Sequence, residues 1–318
     1  MLVKTALDLT KGIKDLKIEG KIVEGKELKD YSTLRIGGQA EVFVEPFSWK
    51  DIEKVTIFTQ KNKIPLLILG GGSKVLFSDE MFKGVVLYLN NSFFKKIELG
   101  EDFVKVSCGV TINELLNWMV ENSLGGWEFL AGIPGTLGGT LCLNSGVRDC
   151  LGGEGYIEIG DFVKEVTVLD KSGNILKLNR DNLIFEYRKS NLSDFIILEA
   201  KLIKKERKSR QQIRERISKF INYRRETQEL RFPSAGCVFK NPFSNRSSGE
   251  LIELSGLKGK CIGDIAISEK HANFFINLGK GTAGDFLSLM EYVQKKVKFD
   301  HGIWLEPEIK IIRNSLML

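Results

Sequence analysis

The segment Pro233-Ser-Ala-Gly-Cys-Val-Phe-Lys-Asn-Pro242 sets a cysteine between a small-residue turn and a short apolar strand, with a cation and an amide just beyond. The Cys237 thiol has a reference pKa of about 8.5, close enough to neutrality for it to donate a proton. A free cysteine is also, by default, a small buried hydrophobe, so an acid role needs supporting groups. They are present, in order along the chain. The glycine-rich loops Gly70–Ser73 and Gly132–Gly139 and the pair Tyr187-Arg188 precede it. Ser268-Glu-Lys-His271-Ala-Asn273 and Leu305-Glu-Pro-Glu308 follow. An acid beside Lys240 and Asn241 suits protonation next to an anionic ligand.

Gly70, Gly71, Gly72 and Ser73 come directly after the apolar run Pro65–Leu69, so their backbone amides could cradle a diphosphate. The spacing is not that of a dinucleotide fingerprint, because G-x-G-x-x-G is absent and extended structure follows. It is not a P-loop either. The plain alternative is a tight turn between strands. In the second loop, glycine at 132, 135, 138 and 139 lets backbone come close to a flat or phosphorylated ligand; its alternative is a pair of turns. Two such loops point to one large phosphorylated cofactor. Arg188 is suited to gripping a carboxylate with two parallel hydrogen bonds, or is an ordinary surface arginine. Glu306 and Glu308 flank Pro307 and share a face if the segment is extended. One of them could assist at a substrate carboxylate, or both could lie on a solvated edge. His271 could bind substrate or cap a loop.

A length of 318 residues allows about two domains at roughly 150 each,. Net charge is +6, enough to help attract an acidic small molecule but no demand for nucleic acid,. The basic run 201–231 is interrupted by Glu206, Glu215, Glu226 and Glu229, which reads as a solvated helix face,. Five scattered cysteines form no C-x-x-C pair and only two histidines exist, which argues against a zinc site and a disulfide framework,. No run approaches 18 apolar residues, and the N-terminus lacks a signal peptide's apolar core. A cytoplasmic monomer with no metal and no nucleic-acid partner is expected.

The positioning elements are read as follows. A short amphipathic helix spans 2–16. The strand 40–45 leads to a helix capped by Ser48 and Asp51 and running to about residue 61. A buried strand covers 65–69, and extended structure resumes at Val75 and Leu76. Strands are expected at 85–89, 95–99, 103–107, 162–170, 175–178 and 195–204, with a helix capped by Thr111 and Glu114. The basic helix at about 209–227 marks a domain boundary, and a small α/β domain closing on strand 308–312 follows. This gives 1–210, in subdomains of about 20–90 and 91–210, and 211–318.

Taken together, the motifs resemble the UDP-N-acetylenolpyruvoylglucosamine reductase (UDP-N-acetylmuramate dehydrogenase) family. They are Ser32-Thr-Leu-Arg-Ile-Gly-Gly38, Leu69-Gly-Gly-Gly-Ser73, Gly132-Ile-Pro-Gly-Thr-Leu-Gly-Gly139 with Asn144-Ser-Gly146, Tyr187-Arg188, Ser234-Ala-Gly-Cys-Val-Phe-Lys-Asn-Pro242, Ser268-Glu-Lys-His-Ala-Asn273 and Leu305-Glu-Pro-Glu308. Each alone is weak; seven in this order are specific, and they span residues 31–312.

The resemblance implies an α+β fold, with an FAD-binding region of two α/β subdomains of the vanillyl-alcohol oxidase (PCMH) type and a C-terminal α/β substrate domain. It implies that NADPH reduces FAD and that hydride passes to the enolpyruvyl β-carbon of UDP-N-acetylglucosamine enolpyruvate. Cys237 then protonates the α-carbon, with Arg188 and Glu308 at the carboxylate. It places Gly70–Leu76, Gly132, Ile133, Pro134, Gly135, Gly138, Gly139, Asn144 and Gly146 at the cofactor. Tyr187, Lys240, Asn241 and His271 fall at the substrate.

Lys74 stands where the family usually has asparagine, and Cys237 where serine is commoner. The stretch 147–154 departs from the usual compact form, and the chain fits the class without an extra tyrosine loop. The alternatives are an FAD-dependent oxidase or dehydrogenase of the same cofactor fold acting on another alcohol or sugar, and a basic nucleic-acid binder using 201–231.

Overall fold

The computed structural model describes residues 8–148, 155–205 and 207–313. Its α-helices are α1 Leu9–Asp15, α2 Trp49–Asn62, α3 Ile112–Glu121, α4 Leu137–Cys142, α5 Arg210–Thr227, α6 Ser248–Leu254 and α7 Ala283–His301. The described part of the helix expected at 2–16 is Leu9–Asp15; residues 1–7 lie outside the described residues, as does most of 147–154.

The first sheet runs in the order Lys21–Glu27, Gln39–Glu45, Phe82–Tyr88, Leu66–Leu69. Its inner pairings are parallel, because α2 carries the chain across one face before it re-enters the sheet,. That crossover is anchored at its start. Ser48 Oγ accepts the amide of Asp51, while the buried Asp51 carboxylate accepts the amides of Glu19, Gly20 and Phe47. The second sheet has five strands, ordered Ile175–Asn179, Val163–Leu169, Ile196–Ile203, Phe103–Ser107, Ile97–Leu99, and is wholly antiparallel. Helix α3 starts on a full capping box of Thr111 and Glu114 and buries Ile112, Leu115, Leu116, Met119 and Val120,. One core runs through both sheets, joining Val42 and Val85 to Leu115, Trp127, Val166 and Leu198. Phe220 of α5 belongs to this core, so the basic helix packs on the N-terminal side.

A third, antiparallel sheet orders Ser234–Cys237, Phe274–Asn277, Ile265–Ile267, Cys261–Ile262. Helix α7 covers it with Phe286, Leu289, Val293 and Val297. The core beneath also takes Leu34, Ile36 and Leu76 from the N-terminal region, and Asn277 Nδ2 donates to the Leu34 carbonyl at 3.0 Å.

The closing strand is Lys310–Ile312, and it does not join the C-terminal sheet. It pairs in parallel with Val75–Phe77 directly after the first glycine loop. Ile312 is 1% exposed, among Phe77, Phe82 and Val86. Alternation of apolar residues announces a strand but not its partner, which is why the sequence could not assign this crossing.

The crossing makes a stability prediction. Ile312→Ala should lower unfolding free energy by about 2–4 kcal/mol, as for a buried aliphatic truncation. Ile311→Ala, at a half-buried position, should cost less. Urea denaturation of both variants checks this; two costs within about 0.5 kcal/mol of zero would mark the strand as a surface tail.

Candidate active site

A cavity of about 880 Å³ opens where the three sheets meet. Each wall comes from a local structural reason. The first glycine loop leaves strand Leu66–Leu69 and turns at Gly72, where φ is +61° and an added Cβ would lie 1.8 Å from the Tyr31 carbonyl oxygen, so no other residue fits there,. The second loop packs directly on it. A Cβ on Gly71 would lie 2.5 Å from Gly135 Cα, and Ser73 Oγ donates to the Pro134 carbonyl at 3.0 Å. Glycine at these points lets two backbones share one wall. The amides of Gly70, Gly71, Gly72 and Ser73 donate to no protein acceptor among the described residues. Gly138 and Gly139, read as loop from sequence, lie in the first turn of α4.

Tyr187 and Arg188 are the two turn residues of the hairpin Phe185–Glu186 and Lys189–Ser190. Arg188 has φ of +56°, a costly conformation for a side-chain-bearing residue and a common mark of a functional site,. Its Nη2 donates to the Gly146 carbonyl at 3.2 Å, its Nε lies 3.5 Å from Glu308 Oε1, and its guanidinium stacks 5.0 Å over the Tyr187 ring. Nη1 is buried without a hydrogen bond, 3.9 Å from the similarly unpartnered Glu158 Oε1. Burial pushes the Glu158 carboxyl up, and the Arg188 charge opposes this. Burial also pushes the Tyr187 phenol up.

Cys237 ends the edge strand after Gly236, itself at φ +70°. The Asn273 side chain holds Phe239, two residues on, accepting its amide at 2.9 Å and donating to its carbonyl at 2.8 Å. Burial pushes the Cys237 thiol up; Glu308 adds to this, while Lys74, Arg188 and Arg224 oppose it. The thiol is therefore a protonated donor at neutral pH. His271 lines the cavity, accepts the Asn273 amide on Nδ1 and is pulled down by burial, hence neutral.

The two C-terminal glutamates have different surroundings, against the alternation expected from sequence. Lys240 bonds the exposed Glu306 at 2.5 Å, while the Glu308 side chain is 6% exposed and lines the cavity. The bridge between Phe239 and Pro307 and the bond from Glu308 N to the Val238 carbonyl separate their paths.

The structure thus brings Cys237, Arg188, Glu308, Tyr187, Asn241 and His271 into one cavity with both glycine loops, Lys74, Val75 and Gly146. Three expected residues do not line it. Leu76 is buried in the C-terminal core. Asn144 is a buried bracket, donating to Glu158 and the Glu186 carbonyl and accepting the Gly160 amide. Lys240 pairs outward with Glu306. Sequence reasoning missed Arg224, which sits on the cavity face of α5 with its Nε buried and unpartnered. The run of lysines and arginines around it hid the signal. Among the described residues, five cations, Lys74, Arg148, Arg188, Arg224 and Lys310, line the cavity against one carboxylate, Glu308. Such a wall suits a ligand carrying several negative charges.

Comparison with known proteins agrees with this geometry. The FAD binding domain family matches residues 40–179, and the family described as UDP-N-acetylenolpyruvoylglucosamine reductase, C-terminal domain, matches residues 228–312. The UDP-N-acetylenolpyruvoylglucosamine reductase of Caldanaerobacter subterraneus subsp. tengcongensis is 36% identical, over 94% of this chain and 96% of its own. That of Caldicellulosiruptor saccharolyticus is 37% identical, over 95% and 94%. The crystal structure of UDP-N-acetylenolpyruvylglucosamine reductase from Thermus caldophilus aligns with a TM-score of 0.77 at 31% identity, covering 93% of this chain and 99% of that one. No described helix is long and apolar enough to cross a membrane. By sequence over almost its whole length and by fold, the chain belongs to the UDP-N-acetylenolpyruvoylglucosamine reductase family.

Proposed function

We propose that this chain reduces UDP-N-acetylglucosamine enolpyruvate to UDP-N-acetylmuramate in the cytoplasm, using NADPH as reductant and FAD as resident cofactor. The observation that carries the reading is the meeting of Cys237, Arg188 and Glu308 at the cavity walled by both glycine loops. The free amides of Gly70–Ser73 suit the FAD diphosphate, and the bare backbone of Gly132–Gly139 suits a flat ring. The division expected at 210/211 is moved to the end of α5, near residue 228, because Phe220 of that helix packs in the N-terminal core.

When bound, FAD supplies the redox chemistry, carrying hydride from NADPH to the enolpyruvyl β-carbon. Every other step falls to side chains. Arg188 holds the substrate carboxylate, where negative charge grows as the β-carbon gains its hydrogen. Glu308 and Tyr187 fix the guanidinium for that contact. The Cys237 S–H bond breaks as the α-carbon C–H bond forms, and the thiolate left behind faces Lys74, Arg188 and Arg224 until solvent returns the proton. One NADPH and one proton are consumed per turnover. Asn241 and His271 serve the nucleotide-sugar, with Lys240 braced behind them on Glu306.

Anaerobic absorbance tests the reading. The flavin band should bleach with NADPH and return when the enolpyruvyl nucleotide-sugar is added. A band that bleaches but does not return would sink the substrate assignment.

Cys237→Ala should keep the bleaching step but slow reoxidation on the order of a hundredfold or more, while Cys237→Ser keeps most of it. Since the thiol is held up, the alkaline fall in wild-type reoxidation should lie above the ordinary thiol value of about 8.5 and vanish in Cys237→Ser. Stopped-flow reoxidation across pH reads both; normal turnover in the alanine variant would remove Cys237 from the chemistry.

Gly71→Ala should push the two loops apart and weaken FAD binding by roughly tenfold or more, on the scale of a lost hydrogen bond or two. Flavin titration of the apoprotein checks this, and unchanged affinity would separate the loops from the cofactor.

A further inference from the structure

Lys74 belongs by sequence to the first glycine loop and was expected at the cofactor. Its side chain lines the same cavity and reaches across to the C-terminal domain. Nζ donates to the Cys237 carbonyl oxygen at 2.8 Å and lies 2.6 Å from Glu308 Oε1, with the lysine side chain 24% exposed and the glutamate 6%. Its own carbonyl accepts the Lys310 amide at 2.8 Å, so both ends of the residue are held by the C-terminal domain. Gly236, at φ +70°, turns the chain beside this contact, with Nζ 3.5 Å from where a Cβ would stand, an ordinary contact distance.

We propose that Lys74 is a positioning residue for the proton-transfer step, locking the Cys237 turn and Glu308 to the cofactor loop in one charged clamp. Asparagine, the residue usual at this place in the family resemblance, is shorter and uncharged, so it could not make the same ion pair. The proposal rests on the proposed acid role of Cys237.

The geometry assigns the clamp two tasks. It fixes the backbone of the acid relative to the wall expected to carry the flavin, so that the thiol and the hydride source keep a set separation. It also places a cation opposite the Glu308 anion next to the thiol. The charged groups facing Cys237 are Lys74 from the glycine loop, Glu308 from the C-terminal segment, Arg188 from the hairpin and Arg224 from α5. Of the three cations, Lys74 opposes the rise of the thiol most strongly. Removing it leaves the carboxylate less balanced, which favours the protonated thiol to higher pH.

The test compares Lys74→Met, Lys74→Arg and wild type in separate anaerobic half-reactions. In Lys74→Met, reoxidation by the enolpyruvyl substrate should fall about tenfold or more, on the scale of one lost preorganised group. Its alkaline limb should move to higher pH, while bleaching by NADPH changes far less. Lys74→Arg keeps the charge and should restore the position of the limb. The inference is overturned if Lys74→Met reoxidises at the wild-type rate with an unmoved limb. It is equally overturned if both half-reactions and FAD affinity fall together, which would make Lys74 a cofactor contact. If wild type itself is not reoxidised by the substrate, the functional reading fails first, and a bound-flavin spectrum in Lys74→Met separates that from misfolding.

Discussion

The parallel pairing of Lys310–Ile312 with Val75–Phe77 is the constraint on which the site depends. Only Ile309 separates Lys310 from Glu308, and only Lys74 separates Val75 from the glycine loop Gly70–Ser73. Once the strand seats, with Ile312 in the first lobe's core, Glu308 has little choice but to meet Lys74 and Arg188. The C-terminal sheet is held to the first lobe a second time, by the shared core that takes in Leu34, Ile36 and Leu76 and by the bond from Asn277 to the Leu34 carbonyl. Cys237 therefore faces the glycine loops because the two halves of the molecule are stitched at both the chain's end and its hydrophobic interior.

Within that frame the chemistry follows from competition between burial and charge. A half-buried thiol resists ionisation, which is what an acid needs, yet the nearby cations prepare for the thiolate it must become. Among the described residues the lining carries five cations and one carboxylate, an imbalance that would be costly without ligands bearing phosphate or carboxylate groups,. Unpartnered buried atoms on Arg188, Glu158 and Arg224 mark the same imbalance at atomic scale,. The left-handed backbone of Arg188 is a further cost concentrated at this spot,.

Local chemistry made much of this legible. The Thr111–Glu114 capping box, the Ser48 cap and the apolar run before Gly70 each announce their element, and each is where expected. The glycine loops, the hairpin arginine and the cysteine turn could be read from sequence because each motif is a backbone device with its own composition. What stayed hidden was partnership. Periodicity could not reveal that the last strand crosses to the first lobe, that Asn144 braces Glu158 instead of facing the cavity, or that Lys240 turns out to Glu306. Arg224 looked like one more charge on a solvated helix, since only packing shows which face of α5 is covered.

The central claim is that the acid and the cofactor loops flank the two carbons of one substrate double bond, Cys237 at the α-carbon and the cofactor at the β-carbon. A crystal structure of the complex with FAD and the enolpyruvyl nucleotide-sugar measures this directly, through the distance from Cys237 Sγ to the substrate α-carbon. The account predicts van der Waals reach, roughly 3–3.5 Å, with the flavin ring against Gly132–Gly139 and the substrate carboxylate on Arg188. A flavin seated away from the two glycine loops, or an α-carbon with Arg188 and Cys237 both out of reach, would contradict it.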